Sequence, residues 1–98
     1  MLEQIKPTTL TAYVGSQFEV LENLPNPLSI TLTNIVEHAK TERQEVFSLF
    51  FHGPSDIYLE QRTYRLKHQE FGELEIFLVP VGKDKDGFEY ESVFNNLI

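Results

Sequence analysis

The chain has 98 residues and a formal net charge of −7, and 41% of its residues are hydrophobic. This length and balance predict one globular domain over residues 1–98, and the acidic charge argues against nucleic-acid binding. The lack of cysteine excludes disulfide bonds and thiolate chemistry, and no window approaches the roughly 18 apolar residues of a membrane span.

The first residues of the chain carry neither a basic lead nor an apolar run. The sequence therefore predicts no signal peptide and a protein that is cytoplasmic as synthesised. Residues 1–8 are predicted as a flexible lead-in, followed by one helical turn over residues 10–14 that Gly15 ends. The apolar side chains of this turn are expected to cover one open end of the sheet structure: Leu10, Tyr13 and Val14.

Alternating polar and apolar residues predict strands over residues 18–24 and 28–36. Pro25-Asn26-Pro27 forms a turn between them, because proline opposes both helix and strand pairing. Ile35-Val36 breaks the alternation, which indicates a bulge or burial on both sides. The polar residues 37–44 are predicted as a loop.

Residues 45–52 predict a central strand, since both of its faces are largely apolar. A turn at Gly53-Pro54 leads to a hairpin over residues 61–82. Its first strand, residues 63–68, places alternate side chains on one face: Tyr64, Leu66 and His68. Its second strand, residues 73–81, ends as a continuous apolar run, which predicts cover on both sides.

Residues 82–87 predict a second turn, and the last strand spans residues 88–95. One face of this strand carries Phe88, Tyr90, Ser92 and Phe94, and the other carries Glu89, Glu91, Val93 and Asn95. The whole pattern predicts an all-β fold: a single-domain antiparallel β-sandwich or small barrel of six or seven strands with one short N-terminal helical turn.

Sites for a metal or for catalysis have weak support in the sequence. The three histidines, His38, His52 and His68, do not have a ligand-motif spacing, and His68 is expected to orient the turn over residues 69–72. Asp84-Lys85-Asp86-Gly87 resembles the start of a calcium loop, but an ordinary hairpin turn is the favoured interpretation; whether Asp84 and Asp86 bind calcium stays open. We expect no cofactor.

Paired carboxylates are expected on polar strand faces rather than in an active site. Glu73 and Glu75 are predicted to pair with Arg65 and Lys67 on the adjacent strand. There is no nucleophile elbow and no glycine-rich phosphate loop, so the sequence predicts a protein that is not an enzyme.

Apolar side chains on the strand faces opposite the core indicate a surface that needs cover. The candidate interaction surface consists of Phe50, Phe77, Val79 and Phe94. The expected function is a non-enzymatic structural or protein-interaction module that binds a protein partner or itself.

The alternative is a small-ligand or carbohydrate-binding module with a polar cluster of Gln61, Tyr64 and His68. Stacking residues for a sugar would come from a wider aromatic set: Tyr58, Tyr64, Tyr90, Phe50, Phe71 and Phe77.

Several motifs together resemble a known family. They are Phe47-Ser48-Leu49 with Phe51 and Gly53-Pro54; Gln61 with Thr63-Tyr64, Leu66 and His68; Gly72 with the run Phe77-Leu78-Val79-Pro80-Val81-Gly82; and Asp86-Gly87 with Tyr90-Glu91 and Val93-Phe94-Asn95. This set, over roughly residues 8–95, resembles an uncharacterised bacterial family of small domains. Arg62, where the family tends to have Gly, and Phe71, in place of a smaller aliphatic residue, depart from its pattern.

Members of that family sit beside, or are fused to, proteins of the phage-tail-collar and microcystin-dependent kind. The resemblance implies an accessory component of a tail-fibre or appendage-like bacterial assembly, with incorporation into a surface or phage-tail-like structure. It supplies no catalytic residue.

Overall fold

The computed structural model describes residues 7–22 and 27–97. Its regular structure is dominated by six strands, which confirms the predicted all-β class. In chain order they are β1 (Gln17–Val20), β2 (Ser29–Lys40), β3 (Gln44–Pro54), β4 (Arg62–His68), β5 (Gly72–Asp84) and β6 (Gly87–Leu97).

The six strands form a closed barrel, and this decides between the two predicted architectures. The strand order is β1-β2-β3-β6-β5-β4, every neighbouring pair is antiparallel, and the β1–β4 pair closes the circle. Closure removes the open edges that a flat sheet would leave in this part of the fold.

The interior is filled by alternate side chains of each strand, as the period of two requires. In β4, Tyr64, Leu66 and His68 point inward, as predicted, and all three are buried. The largest side chains with no exposed surface are spread over the strands and the N-terminal segment: Tyr90, Phe18, Phe47, Phe51, Leu10, Ile30, Leu32, Leu49, Leu66 and Leu78.

A short helical segment precedes the barrel, with an α-helical turn at Pro7–Leu10 and a 3-10 turn at Thr11–Tyr13. Leu10 is fully buried in the core and Tyr13 packs against its edge, but Val14 is 44% exposed, so two of the three predicted cover residues contribute. Gly15 takes a φ of +92° and donates its N–H to the Leu32 carbonyl at 2.7 Å. Among the described residues, no helix is long and apolar enough to cross a membrane.

The polar residues 37–44, predicted as a loop, mostly belong to strands. β2 continues to Lys40 and β3 begins at Gln44, which leaves a turn of three residues. Beyond Ile35 the side chains of β2 are exposed or half-buried, so water contacts this part of the strand and no apolar alternation marks it. The irregularity predicted at Ile35-Val36 is observed nearby, as register shifts between Leu32 and Asn34 and again after Glu37.

β5 changes partners along its length. Its first half pairs with β4 up to Leu78, and its second half pairs with β6 from Val79 onward, with a register shift between Pro80 and Gly82. No other element of the described chain supplies the cover predicted for the outer side of this strand: Phe77 is 47% exposed and Val81 is 45% exposed. The inward side chains are buried while the outward ones face water, because the barrel has only one interior.

In three hairpin turns, β2–β3, β4–β5 and β5–β6, one side chain accepts hydrogen bonds from the backbone N–H groups two and three residues later. These backbone N–H groups thereby gain hydrogen-bond acceptors that the neighbouring strand does not supply within the turn. The three cases are Thr41 with Arg43 and Gln44, His68 with Glu70 and Phe71, and Asp84 with Asp86 and Gly87. The predicted role of His68 in orienting its turn is therefore confirmed.

Of the flexible lead-in predicted over residues 1–8, residues 1–6 lie outside the described residues, as do residues 23–26 and Ile98. Pro7 and Thr8 belong to the α-helical turn, so the prediction is wrong for these two residues. Within the described part, the strand predicted from residue 18 runs from Gln17 to Val20.

Candidate functional site

Three of the four apolar residues predicted as an interaction surface lie on one outward face of the barrel. Phe50 of β3 is the register partner of Glu91 in β6, and Glu91 is in turn the partner of Val79 in β5. Phe77 and Val93 each lie two positions along their strands from this row, so they share its face. We call these five residues, Phe50, Phe77, Val79, Glu91 and Val93, the Glu91 face.

The Glu91 face exposes large apolar side chains. Val93 is 60% exposed and Phe77 is 47% exposed, whereas Phe50 and Val79 are half-buried. Single exposed apolar residues are ordinary on protein surfaces, but a contiguous group on adjoining strands is typical of a surface that binds something.

The fourth predicted residue, Phe94, lies on the opposite side of the sheet. Its ring stacks on that of the buried Phe47, with centroids 5.2 Å apart and planes 7° from parallel. Phe94 is therefore part of the wall of the core. Its neighbour Val93 takes the outward position, and the alternation of β6 already placed Val93 on the same side as Glu91.

A hydrogen-bonded chain of three side chains reaches this face, from the exposed His38 through the buried Ser48 to Glu91. Ser48 Oγ donates to Glu91 Oε2 at 2.6 Å, and His38 Nε2 lies 2.7 Å from the same Ser48 oxygen. The hydroxyl has one hydrogen, which goes to the carboxylate, so the imidazole is the donor to Ser48. Ser48 itself is fully buried.

This chain of His38, Ser48 and Glu91 is not arranged for nucleophilic catalysis. In a catalytic triad the carboxylate orients the histidine and the histidine activates an accessible hydroxyl. Here the carboxylate binds the serine directly, and the buried hydroxyl cannot meet a substrate. The arrangement fixes the position of the Glu91 carboxylate instead.

No cation balances the charge of Glu91 in the part of the chain that the structure describes. One ion pair found there joins Arg62 to Glu22 at 2.6 Å, and a second contact, 3.3 Å between His52 and Asp84, is an ion pair only when His52 is protonated. Glu91 is thus a half-buried carboxylate that lies among apolar neighbours without an ionic partner.

The predicted polar cluster of Gln61, Tyr64 and His68 does not form one site. Gln61 is exposed, whereas Tyr64 and His68 point inward near the two ends of β4. The Tyr64 hydroxyl donates to the Glu60 carbonyl at 2.7 Å, and the Arg62 guanidinium lies 4.3 Å from the ring centroid. Burial raises the pKa of Tyr64.

The His68 ring is surrounded by structural contacts. Its Nδ1 accepts the backbone N–H groups of Glu70 and Phe71, both at 3.0 Å, and its Nε2 lies 2.8 Å from Ser16 Oγ. An Nδ1 that accepts carries no proton, so Nε2 is the donor. The rings of Tyr13 and Phe18 pack against the imidazole with centroids 4.6 and 4.7 Å away.

The acidic turn of residues 84–87 is organised by its own backbone. Asp84 Oδ1 accepts the N–H groups of Asp86 and Gly87, each at 2.8 Å, and lies 3.3 Å from His52 Nε2. These bonds match the favoured hairpin-turn interpretation. Within residues 7–22 and 27–97, no group of three or more potential ligand side chains could hold a metal ion.

The charged residues predicted to pair across the hairpin lie opposite each other, but among the described residues no ion pair joins them. Arg65 lies opposite Glu75 and Lys67 lies opposite Glu73. Depressions on this outward face are lined by charged residues of the hairpin, Arg65, Glu73 and Glu75.

The aromatic residues predicted as a sugar platform are dispersed. Tyr64 and Tyr90 are buried, and Phe71 packs against Tyr13 with ring centroids 5.7 Å apart. Phe50 and Phe77 remain together on the outward face described above.

A model of the family described as Domain of unknown function (DUF6916) matches residues 5–94 of this chain. The chain belongs to this family. No curated protein and no solved structure matches the chain significantly. The match to DUF6916 confirms the expected uncharacterised domain family and covers all six strands except the last residues of β6.

Proposed function

We propose that this DUF6916 domain is a non-enzymatic interaction module that binds a protein partner through the Glu91 face. The observation that carries the proposal is the contiguous outward group of apolar side chains on β3, β6 and β5, with Phe77 and Val93 about half exposed or more. A partner that covers these side chains would remove apolar area from water, which is the main favourable term in protein association.

A tail-fibre or appendage-like bacterial assembly is the proposed setting. Its support is the resemblance of the chain's motifs to domains that adjoin phage-tail-collar and microcystin-dependent proteins. A closed barrel with a fixed binding face suits such a role, because a rigid scaffold orders few groups on binding and loses little entropy.

Site-specific photo-crosslinking tests the proposal in cells that naturally make the protein. A photoreactive amino acid replaces Phe77 in one variant and Glu75, two positions earlier on the same outward side of β5, in the control. We expect an adduct with a tail or appendage component from position 77 and a much weaker one from position 75. Equal adducts from both positions, or none from position 77, would contradict the proposed surface.

A further inference from the structure

We propose that the partner of the Glu91 face inserts a lysine or arginine side chain against the Glu91 carboxylate, with apolar residues on either side of it. This inference rests on the proposed function and specifies the chemistry of the partner. It follows from the position of the carboxylate, the way it is held and the charge of the chain.

The position of Glu91 is central. Phe50 lies across from it on one neighbouring strand and Val79 on the other, and Val93 follows on the same strand face. A partner that covers these apolar residues must also remove water from the carboxylate. A desolvated carboxylate is strongly unfavourable unless a cation or hydrogen-bond donors replace the water.

The carboxylate is oriented before any partner arrives. Ser48 donates to Oε2 at 2.6 Å, and the exposed His38 donates to the Ser48 oxygen at 2.7 Å. Among the described residues, no side chain or backbone group donates to the other oxygen, Oε1. A guanidinium or ammonium group can reach this free oxygen and form a charge-assisted hydrogen bond with an acceptor whose rotamer is already fixed.

A second copy of the chain does not supply this chemistry. None of the five residues of the Glu91 face is a lysine or arginine, so two such faces packed together would place carboxylate near carboxylate. Each copy also has a formal net charge of −7, which adds repulsion between copies. Like charges opposite each other across an interface select against that pairing.

The experiment uses the full chain and a phage-displayed library of random peptides. Peptides are selected on the wild-type protein, and the affinity of the best is measured by fluorescence anisotropy. The key variant is Glu91→Gln, which keeps an acceptor for Ser48 and removes the charge. The matched control is Glu89→Gln, which makes the same charge change two positions away on the same side of β6, and Phe77→Ser reports whether a peptide uses the face.

The expected result is a set of peptides with lysine or arginine beside apolar residues. Their affinity should fall by about tenfold or more in Glu91→Gln, by about twofold or less in Glu89→Gln, and with rising salt. Circular dichroism of each variant shows that the fold is intact.

The contrary results separate the two proposals. Peptides that lose binding in Phe77→Ser but bind Glu91→Gln as well as the wild type would overturn the cationic partner and leave the interaction face standing. A dimer that light scattering detects in the wild type and not in Phe77→Ser would also overturn the cationic partner. The Glu91 face would then bind a second copy of the chain. A failure to select peptides that depend on Phe77 would count against both.

Discussion

Ser48 Oγ lies 2.6 Å from Glu91 Oε2, although 43 positions separate the two residues in the chain. The bond joins β3 to β6 on the outward side of the barrel and ends at a hydroxyl with no exposed surface. It links a buried polar group to the only charged residue of the Glu91 face.

Removal of this hydroxyl should weaken the fold measurably. Ser48→Ala takes a donor from the half-buried Glu91 and an acceptor from the exposed His38. Water can replace the partner of His38, but it replaces the partner of Glu91 only in part. We expect the free energy of unfolding to fall by about 1 kcal/mol. Urea denaturation measures it, with Ser29→Ala on the exposed side of β2 as the control. Equal stabilities for the two variants would show that the bond contributes nothing.

Gly87 allows two strands to approach so closely that no side chain fits. A Cβ at this position would overlap the Gly53 carbonyl oxygen and also approach His52. Gly87→Ala should therefore destabilise the protein by about 3 kcal/mol or more, because backbone must move.

Gly72→Ala is the matched control for Gly87→Ala. Gly72 takes a φ of +98° but has open space where a Cβ would stand, so its substitution should cost only about 1 kcal/mol. Thermal denaturation of both variants checks the prediction, and a Gly87→Ala protein as stable as Gly72→Ala would rule out the close approach.

The Tyr90 hydroxyl supports a segment that has no strand partner. It accepts the Leu59 backbone N–H at 3.0 Å, and both residues are buried. Burial raises the pKa of Tyr90, so the hydroxyl stays neutral over the ordinary pH range. Tyr90→Phe leaves a buried N–H unpaired and should cost about 1–3 kcal/mol of unfolding free energy.

Tyr64→Phe provides the comparison for Tyr90→Phe. The Tyr64 hydroxyl donates to the carbonyl of the exposed Glu60, where water can replace it. Its loss should cost about 1 kcal/mol or less. Urea denaturation of the two variants should rank them in this order; the reverse order would contradict the role given to Tyr90.

The turn at Asp84 should make stability depend on acid. The hydrogen bond from the Asp86 N–H, and after it the one from His52, hold the pKa of the Asp84 carboxyl below its ordinary value. A carboxyl with a lowered folded-state pKa stabilises the fold above its unfolded-state pKa, and this stabilisation is lost as pH falls through the folded-state pKa. Asp84→Asn keeps an acceptor oxygen without a titrating charge.

We therefore expect a smaller loss of stability for Asp84→Asn than for the wild type as the pH is lowered below about 4. Asp84→Ala, which removes the acceptor, should instead be less stable at neutral pH. Thermal melting points measured across this range decide the matter. Parallel curves for the wild type and Asp84→Asn would show that Asp84 does not contribute. The effect is small, because the side chain is exposed.

Much of the fold could be predicted because alternation reports burial on one face. The inward row of β4 and the outward row of β6 both follow from this pattern. The end of β2 could not be found in this way: between Glu37 and Lys40 no apolar residue except Ala39 is present, and the strand is exposed on both faces. A polar strand and a polar loop have the same composition.

The candidate site was only half predictable. The apolar run through Phe77 and Val79 is compatible with burial beneath another element and with exposure to a partner, and sequence alone does not separate the two. The position of the Glu91 carboxylate at the centre of the Glu91 face could not be predicted from the sequence. It depends on the register of β3 with β6, which brings Glu91 next to Ser48 and Phe50. The alternation of β6 places Glu91 on one face with Glu89, Val93 and Asn95, but it does not distinguish Glu91 from Glu89.

The closure of the barrel depends on its shortest strand. β1 has four residues, and in the described part of the chain its register with β4 consists of two pairs, Glu19 with Lys67 and Val20 with Leu66, followed by one hydrogen bond from the Leu21 N–H to the Arg65 carbonyl. If the module transmits tension within an assembly, we expect β1 to separate from β4 before any other strand pair separates. Native-state hydrogen exchange should then show the earliest exchange of backbone amides between these two strands. Separation of β1 from β4 would leave the backbone of β4 as an unpaired sheet edge. The closed barrel would then become an open, curved sheet that can pair with a strand from another chain.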